Sequence, residues 1–114
     1  MIFYKKCFEK KENKMVKHII LWKLKDEFSD AEKIEIRRGI KAGLEALKSV
    51  IPGLVDIHVQ TEFLPTSNAD VMLDSTFESF EALKNYAVHD AHVDVANTKV
   101  RPFTASRMCL DFEI

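Results

Sequence analysis

The chemistry this chain could perform concentrates in one short stretch. Tyr86 precedes His89 by three residues and His92 by six. An imidazole titrates near pH 6.5 and can take a proton at neutral pH, and a phenol can donate to a developing oxyanion. The pair suits proton abstraction from a carbon acid, with His92 as base and Tyr86 as donor. Six residues do not share one helical face, so this reading needs the chain to bend after residue 87. The alternative is that His92 is a structural histidine at the crossover from helix to strand.

His18 lies with Ile20 and Trp22 on one face of an expected strand. It reads as a satisfied core histidine or, if it shares a cavity with His92, as a ligand contact. His18, Ile20, Trp22 and His89 are the candidate ligand-binding residues. His89 and His92 have a spacing that can hold a metal on a helix, but a third ligand would have to come from Asp90, Asp94 or elsewhere. No cysteine pair or second histidine motif supports such a site, and no metal or cofactor is assigned. Asp111 is expected to pair with a basic side chain. Cys109 reads as a small hydrophobe, and Cys7 and Cys109 make no disulfide framework. Phosphate loops, dinucleotide fingerprints and serine-nucleophile motifs do not occur.

The elements that must position these residues follow from periodicity. Residues 16–25 alternate as a first strand, with Ile19 and Leu21 opposite the His18 face. Ser29-Asp30-Ala31-Glu32 is a capping box that opens a helix running to about Val50. Ile36, Ile40, Leu44, Leu47 and Ile51 recur at spacings of three and four and form its buried stripe. Lys33, Arg37, Arg38, Lys41 and Lys48 supply a solvated face. Pro52-Gly53 stops the helix.

Residues 54–62 read as a second strand with Val55, Ile57 and Val59 alternating, and residues 70–77 as a third, paired to it as an antiparallel hairpin. Ser79 caps a second helix from Phe80 to about Ala87, with Phe80, Leu83 and Tyr86 or Ala87 on its inner stripe. A short helical segment follows near residues 93–99. Residues 104–112 close the chain as a strand in which Met108, Leu110 and Phe112 alternate with Arg107, Cys109 and Asp111.

The order strand-helix-strand, twice, is the split βαβ pattern. It predicts an α+β ferredoxin-like βαββαβ fold, a four-stranded antiparallel sheet with helices on one face. Val55, Ile57, Val59 and the opposing faces of the other strands offer more apolar surface than one helical layer covers. At roughly 25 cal/mol per Å² the surplus disfavours leaving that face in water, so a homodimer packed through the open sheet face is expected.

With 114 residues, of which 46% are apolar and 31% charged, the chain has the size and composition of one globular domain. The net charge of −1 argues against a protein dominated by phosphate-backbone binding, so no nucleic-acid partner is expected. No run of 18 apolar residues occurs, so no membrane partner is expected either. Residues 1–14 read as a poorly ordered extension and 15–114 as the domain. Sparse cysteines suit a reducing, cytoplasmic setting.

Three segments resemble a known family. Met15-Val16-Lys17-His18-Ile19-Ile20-Leu21-Trp22-Lys23-Leu24-Lys25 is similar to the opening strand of the stress-responsive dimeric α/β-barrel (Dabb) proteins. So are Phe77 to Tyr86 with His89-Asp90-Ala91-His92, and the ending Met108-Cys109-Leu110-Asp111-Phe112. The resemblance implies two ferredoxin-like subunits joining their sheets into one barrel, with a small hydrophobic or aromatic molecule bound between sheet and helices. Most members have no assigned reaction; a few plant members act on polyketides, and the best understood of them closes a linear tetraketide by intramolecular aldol condensation without metal or cofactor. By motif, the tyrosine and histidine of that reaction correspond to Tyr86 and His92, and the first-strand histidine to His18. The resemblance reaches more distantly to cofactor-free monooxygenases and haem-handling barrels. This sequence replaces the family's His-Pro-x-His by His89-Asp90-Ala91-His92, and its first helix presents Ile36, Ile40 and Leu44 in place of aromatic side chains.

Overall fold

The computed structural model describes residues 14–114; residues 1–13, which hold Cys7 and nearly all of the expected extension, lie outside the described residues. Four strands form one antiparallel sheet: β1 (Val16–Leu24), β2 (Leu54–Gln60), β3 (Val71–Phe77) and β4 (Thr104–Glu113), in the order β2-β3-β1-β4. The helices are α1 (Asp30–Glu45), α2 (Phe80–Val88) and α3 (Asp90–Val95). The ferredoxin-like βαββαβ order expected from periodicity is the order found.

The capping box works as the sequence implies. Ser29 Oγ accepts the Glu32 amide at 3.1 Å, and Glu32 Oε1 accepts the Ser29 amide at 2.8 Å. Ile40 and Leu44 of α1, with Leu47 and Ile51 just beyond it, are buried against the sheet. The α1 cations engage their neighbours: Lys41 reaches Glu45 and the Val59 carbonyl, Arg38 reaches Glu35, and Arg37 stacks over Phe63. Gly53 takes a positive φ of 82° where α1's extension turns into β2, and a Cβ there would lie 2.6 Å from that of Ala82. Only glycine fits both demands.

The expected β2 alternation is corrected by a bulge. Leu54 pairs with Phe77 and Asp56 with Thr76, so Val55 is an extra residue and parity shifts after it. Leu54, Ile57 and Val59 therefore enter the core, and Val55 is exposed. The apolar surplus on the open face comes instead from β1 and β4: Leu21, Met108, Leu110 and Phe112 are exposed, Met108 by 71% and Leu110 by 63%. Phe80 is also corrected. It is exposed beneath the Lys84 ammonium, while Leu83 and Tyr86 carry the inner face of α2.

Candidate active site

Backbone pairing assembles the site. β1 and β4 run antiparallel with Trp22 opposite Arg107, Ile20 opposite Cys109 and His18 opposite Asp111. Alternation sends all six side chains to the helix side of the sheet. His18 is buried, and its Nδ1 meets Asp111 Oδ1 at 2.5 Å. A carboxylate oxygen only accepts, so Nδ1 carries the proton and donates it. The expected basic partner of Asp111 is thus His18.

The bend the sequence reading required is present. α2 ends at Val88, His89 is extended with ψ 134°, and α3 begins at Asp90. His89 Nδ1 accepts the Ala91 amide at 3.1 Å, so His89 caps α3. Asp90, standing where the family motif has proline, is the first residue of α3; proline is tolerated there and an acid is favoured. The reversal brings the Tyr86 and His92 rings to 4.2 Å between centroids. Tyr86 also packs edge-on to Phe77 at 4.8 Å and to His18 at 6.2 Å. After α3 the helix widens to π geometry over Ala96–Val100 and tightens to a 3-10 turn over Arg101–Phe103. Such wide turns often mark functional sites.

These elements enclose a cavity of about 340 Å³. Of the residues named from sequence, Tyr86, His92, His18, Ile20 and Trp22 line it together, and His89 does not. Sequence reasoning missed Arg101, Thr104 and Arg107, as well as Leu44, Leu73, Ala96 and Val100, which complete the wall. Arg107 was detectable in principle: it shares the parity of Cys109 and Asp111, and the register of β4 on β1 supplies the rest.

Two features give the cavity chemical character. The Tyr86 hydroxyl is buried and has no hydrogen-bond partner among the described residues. Burial pushes its pKa far above the usual phenol value, against a small opposing effect of the Arg107 charge, so it stays protonated as a donor. His92 Nδ1 donates to the Ala87 carbonyl at 3.2 Å, which leaves Nε2 as an acceptor. Burial holds the His92 pKa below the usual imidazole value, opposed by the Ala87 bond and assisted by the charges of Arg101, His18 and Arg107. At neutral pH His92 is therefore an unprotonated base beside a protonated phenol.

The His89–His92 spacing does not converge on a metal, because each Nδ1 is engaged by backbone. His18, Cys109 and Asp111 do place three donor atoms within 4.8 Å of one another. Cys109 Sγ and Asp111 Oδ1 both approach the same ring nitrogen, at 3.8 and 2.5 Å. That geometry is not a nucleophile triad, in which thiol and carboxylate engage opposite nitrogens. Burial, followed by Asp111, raises the Cys109 pKa and keeps the thiol protonated. A metal ion there would replace the His18–Asp111 hydrogen bond.

A family model of the stress responsive A/B barrel domain matches residues 16–114. Olivetolic acid cyclase of Cannabis sativa is 29% identical over 100 residues, covering 85% of this chain and 94% of that protein. A dimeric ferredoxin-like protein of unknown function from Bacteroides fragilis superposes with a TM-score of 0.83 at 33% identity, covering 88% of this chain and 96% of that one. A hydroxynitrile lyase from Passiflora edulis shares the fold, with a TM-score of 0.69 at 18% identity over 90% of this chain and 94% of that one. Among the described residues, no helix is long and apolar enough to cross a membrane.

Proposed function

The chain belongs to the stress-responsive A/B barrel domain family, and on that footing we propose that it binds a small hydrophobic or aromatic molecule in the cavity between sheet and helices. The observation that carries this reading is the buried Tyr86 hydroxyl, left without a protein partner among the described residues in the wall of a cavity that combines apolar residues (Ile20, Leu44, Leu73, Val100) with polar ones. An unsatisfied buried donor costs about 1–3 kcal/mol. A bound molecule with an acceptor oxygen satisfies it. Trp22 lines the same cavity and is the only tryptophan of the chain, so its fluorescence reports occupancy. Titration with 4-butylbenzoate and 4-butylbenzamide is expected to give a saturable change with at least one of them. No change with either, up to their solubility limits, overturns the reading.

A second reading is favoured by the contact between Tyr86 and His92. In it, His92 Nε2 takes a proton from a carbon acid of the bound molecule, and the carbonyl oxygen, as it gains charge, accepts the Tyr86 hydroxyl. This is the chemistry of a cyclase or lyase acting without a cofactor, and the olivetolic acid cyclase of Cannabis sativa is a relative. Exchange of the central protons of a 1,3-diketone in deuterated water, followed by NMR, separates the two readings. His92→Ala removes catalysed exchange but preserves saturable binding if His92 is the base. Exchange undiminished in the variant contradicts that role.

The protein acts as a homodimer in this proposal. Leu21, Met108, Leu110 and Phe112 form the apolar part of the open sheet face, and the Bacteroides fragilis relative is described as dimeric. Native mass spectrometry should give the mass of two chains; one chain contradicts the assembly.

A further inference from the structure

The cavity is apolar at its floor and positively charged at its rim. Ile20, Leu44, Leu73 and Val100 form buried wall, while Arg101, in the turn after α3, and Arg107, on β4, are exposed at its edge. Neither arginine forms an ion pair among the described residues; Arg101 donates to the neutral Asn97 Oδ1. Among the described residues, no aspartate or glutamate lines the cavity. Asp111 shares the strand face of Arg107 and is reached from it through Cys109, whose thiol lies 3.5 Å from Asp111 Oδ1 and is in contact with Arg107, but the carboxylate is hydrogen-bonded to His18 and lies outside the cavity lining. The whole chain carries a net charge of −1, so this positive rim is local and not a reflection of overall composition.

We infer that the cavity selects an anionic ligand: an apolar or aromatic body carrying a carboxylate, with the carboxylate held by Arg107 and Arg101 and the body lying on the apolar floor. The inference rests on the proposed binding function and adds the chemical class of the ligand. Guanidinium presents a planar fork of donors that matches a carboxylate, and two such groups from separate elements converge on one opening. The Tyr86 hydroxyl, deeper in the wall, supplies a neutral donor to an oxygen on the ligand body. Cationic ligands meet two like charges at the opening and are disfavoured. The same two charges add to burial in keeping His92 unprotonated, so the binding of an anion and the basicity of His92 are coupled.

The test compares 4-butylbenzoate with 4-butylbenzamide at pH 7.5, two probes of nearly the same shape, one charged and one neutral, read by Trp22 fluorescence and calorimetry. The wild-type protein is expected to bind the acid at least 10-fold more tightly, and raising the salt concentration is expected to weaken the acid alone. Arg107→Gln and Arg101→Gln each reduce the preference, and the double variant removes it while still binding the amide. Arg107→Lys keeps the charge without the fork and falls between. Both arginines are exposed, and a melting curve unchanged from wild type confirms that each variant folds. Equal affinity for acid and amide, or a preference that survives the double substitution, overturns the inference while leaving the binding function standing. Failure of both probes overturns both.

Discussion

The helix side of this sheet is built in two ways. Beneath α1 and its extension, over β2, it is closed: Ile40, Leu47, Ile51, Leu54, Ile57 and Val59 are buried and apolar, with Leu44 at the border. Toward β1 and β4, beside α3 and the turns that follow it, the same face is open, and it collects His18, Tyr86, His92, Arg101 and Arg107. The length of the covering helix accounts for the difference. α1 has 16 residues and a continuous stripe, whereas α3 has 6 and passes at once into wider and tighter turns. A long amphipathic helix excludes water from the strands below it, while a short, irregular one leaves space that polar groups can occupy. The first half is apolar core throughout, and the second combines core residues with the candidate chemistry.

Substitutions should therefore act in opposite directions in the two halves. The largest effect is expected in the closed half. Ile40→Ala removes a fully buried side chain from α1 and should cost about 2–5 kcal/mol, read as a fall in chemical-denaturation midpoint, with the cavity's ligand preference retained. Next comes Tyr86→Phe in the open half. It deletes a hydroxyl that has no protein partner, so stability should be unchanged or rise by about 1 kcal/mol, while affinity for an oxygen-bearing ligand falls. A marked loss of stability in Tyr86→Phe would mean that the hydroxyl has a structural partner and that the two halves are alike.

The smallest effect is on pH dependence. The folded-state pKa of His92 is held below its ordinary 6.5, chiefly by burial. Below 6.5 the unfolded chain binds a proton that the folded one resists, so the contribution of neutral His92 to stability is complete above about pH 6.5 and is lost as pH falls through the lower folded value. His92→Gln should flatten the stability profile in that window and leave it unchanged at higher pH. Glu45 behaves in the same sense at more acid pH. Burial raises its pKa, but the Val59 amide, Lys41 and His58 together outweigh burial and lower it. Its contribution is lost as pH falls below about 4.5.

The closed half was largely legible from sequence, because its signals are local. The capping box, the three-and-four spacing of α1 and the Pro52-Gly53 stop each lie within a few residues of what they determine. Val55 was misread because a bulge shifts strand parity without a mark in composition. Phe80 was misread because it follows the N-cap at once, on the first turn of α2, where the apolar stripe has not yet turned toward the sheet. The open half was legible only where a motif exposed it. Tyr86, His92, His18 and Trp22 were singled out by residue type and strand face, but their meeting depends on the reversal at His89. Arg101 and Arg107 escaped notice because an arginine among 17 basic residues is ordinarily a solvated charge. Their place in the cavity follows from the register of β4 on β1 and from the turn geometry after α3, both of which are long-range facts.

The central claim is that ligand binds on the helix side of the open half, and methyl NMR with 4-butylbenzoate tests it most directly. Strand alternation puts Ile20 and Leu73 on the cavity side of the sheet and Leu21, Met108 and Leu110 on the other. The account predicts saturable shifts in the methyl groups of Ile20, Leu44, Leu73 and Val100, with Met108 and Leu110 unmoved. Shifts confined to Leu21, Met108 and Leu110 would place the ligand on the open sheet face and contradict it.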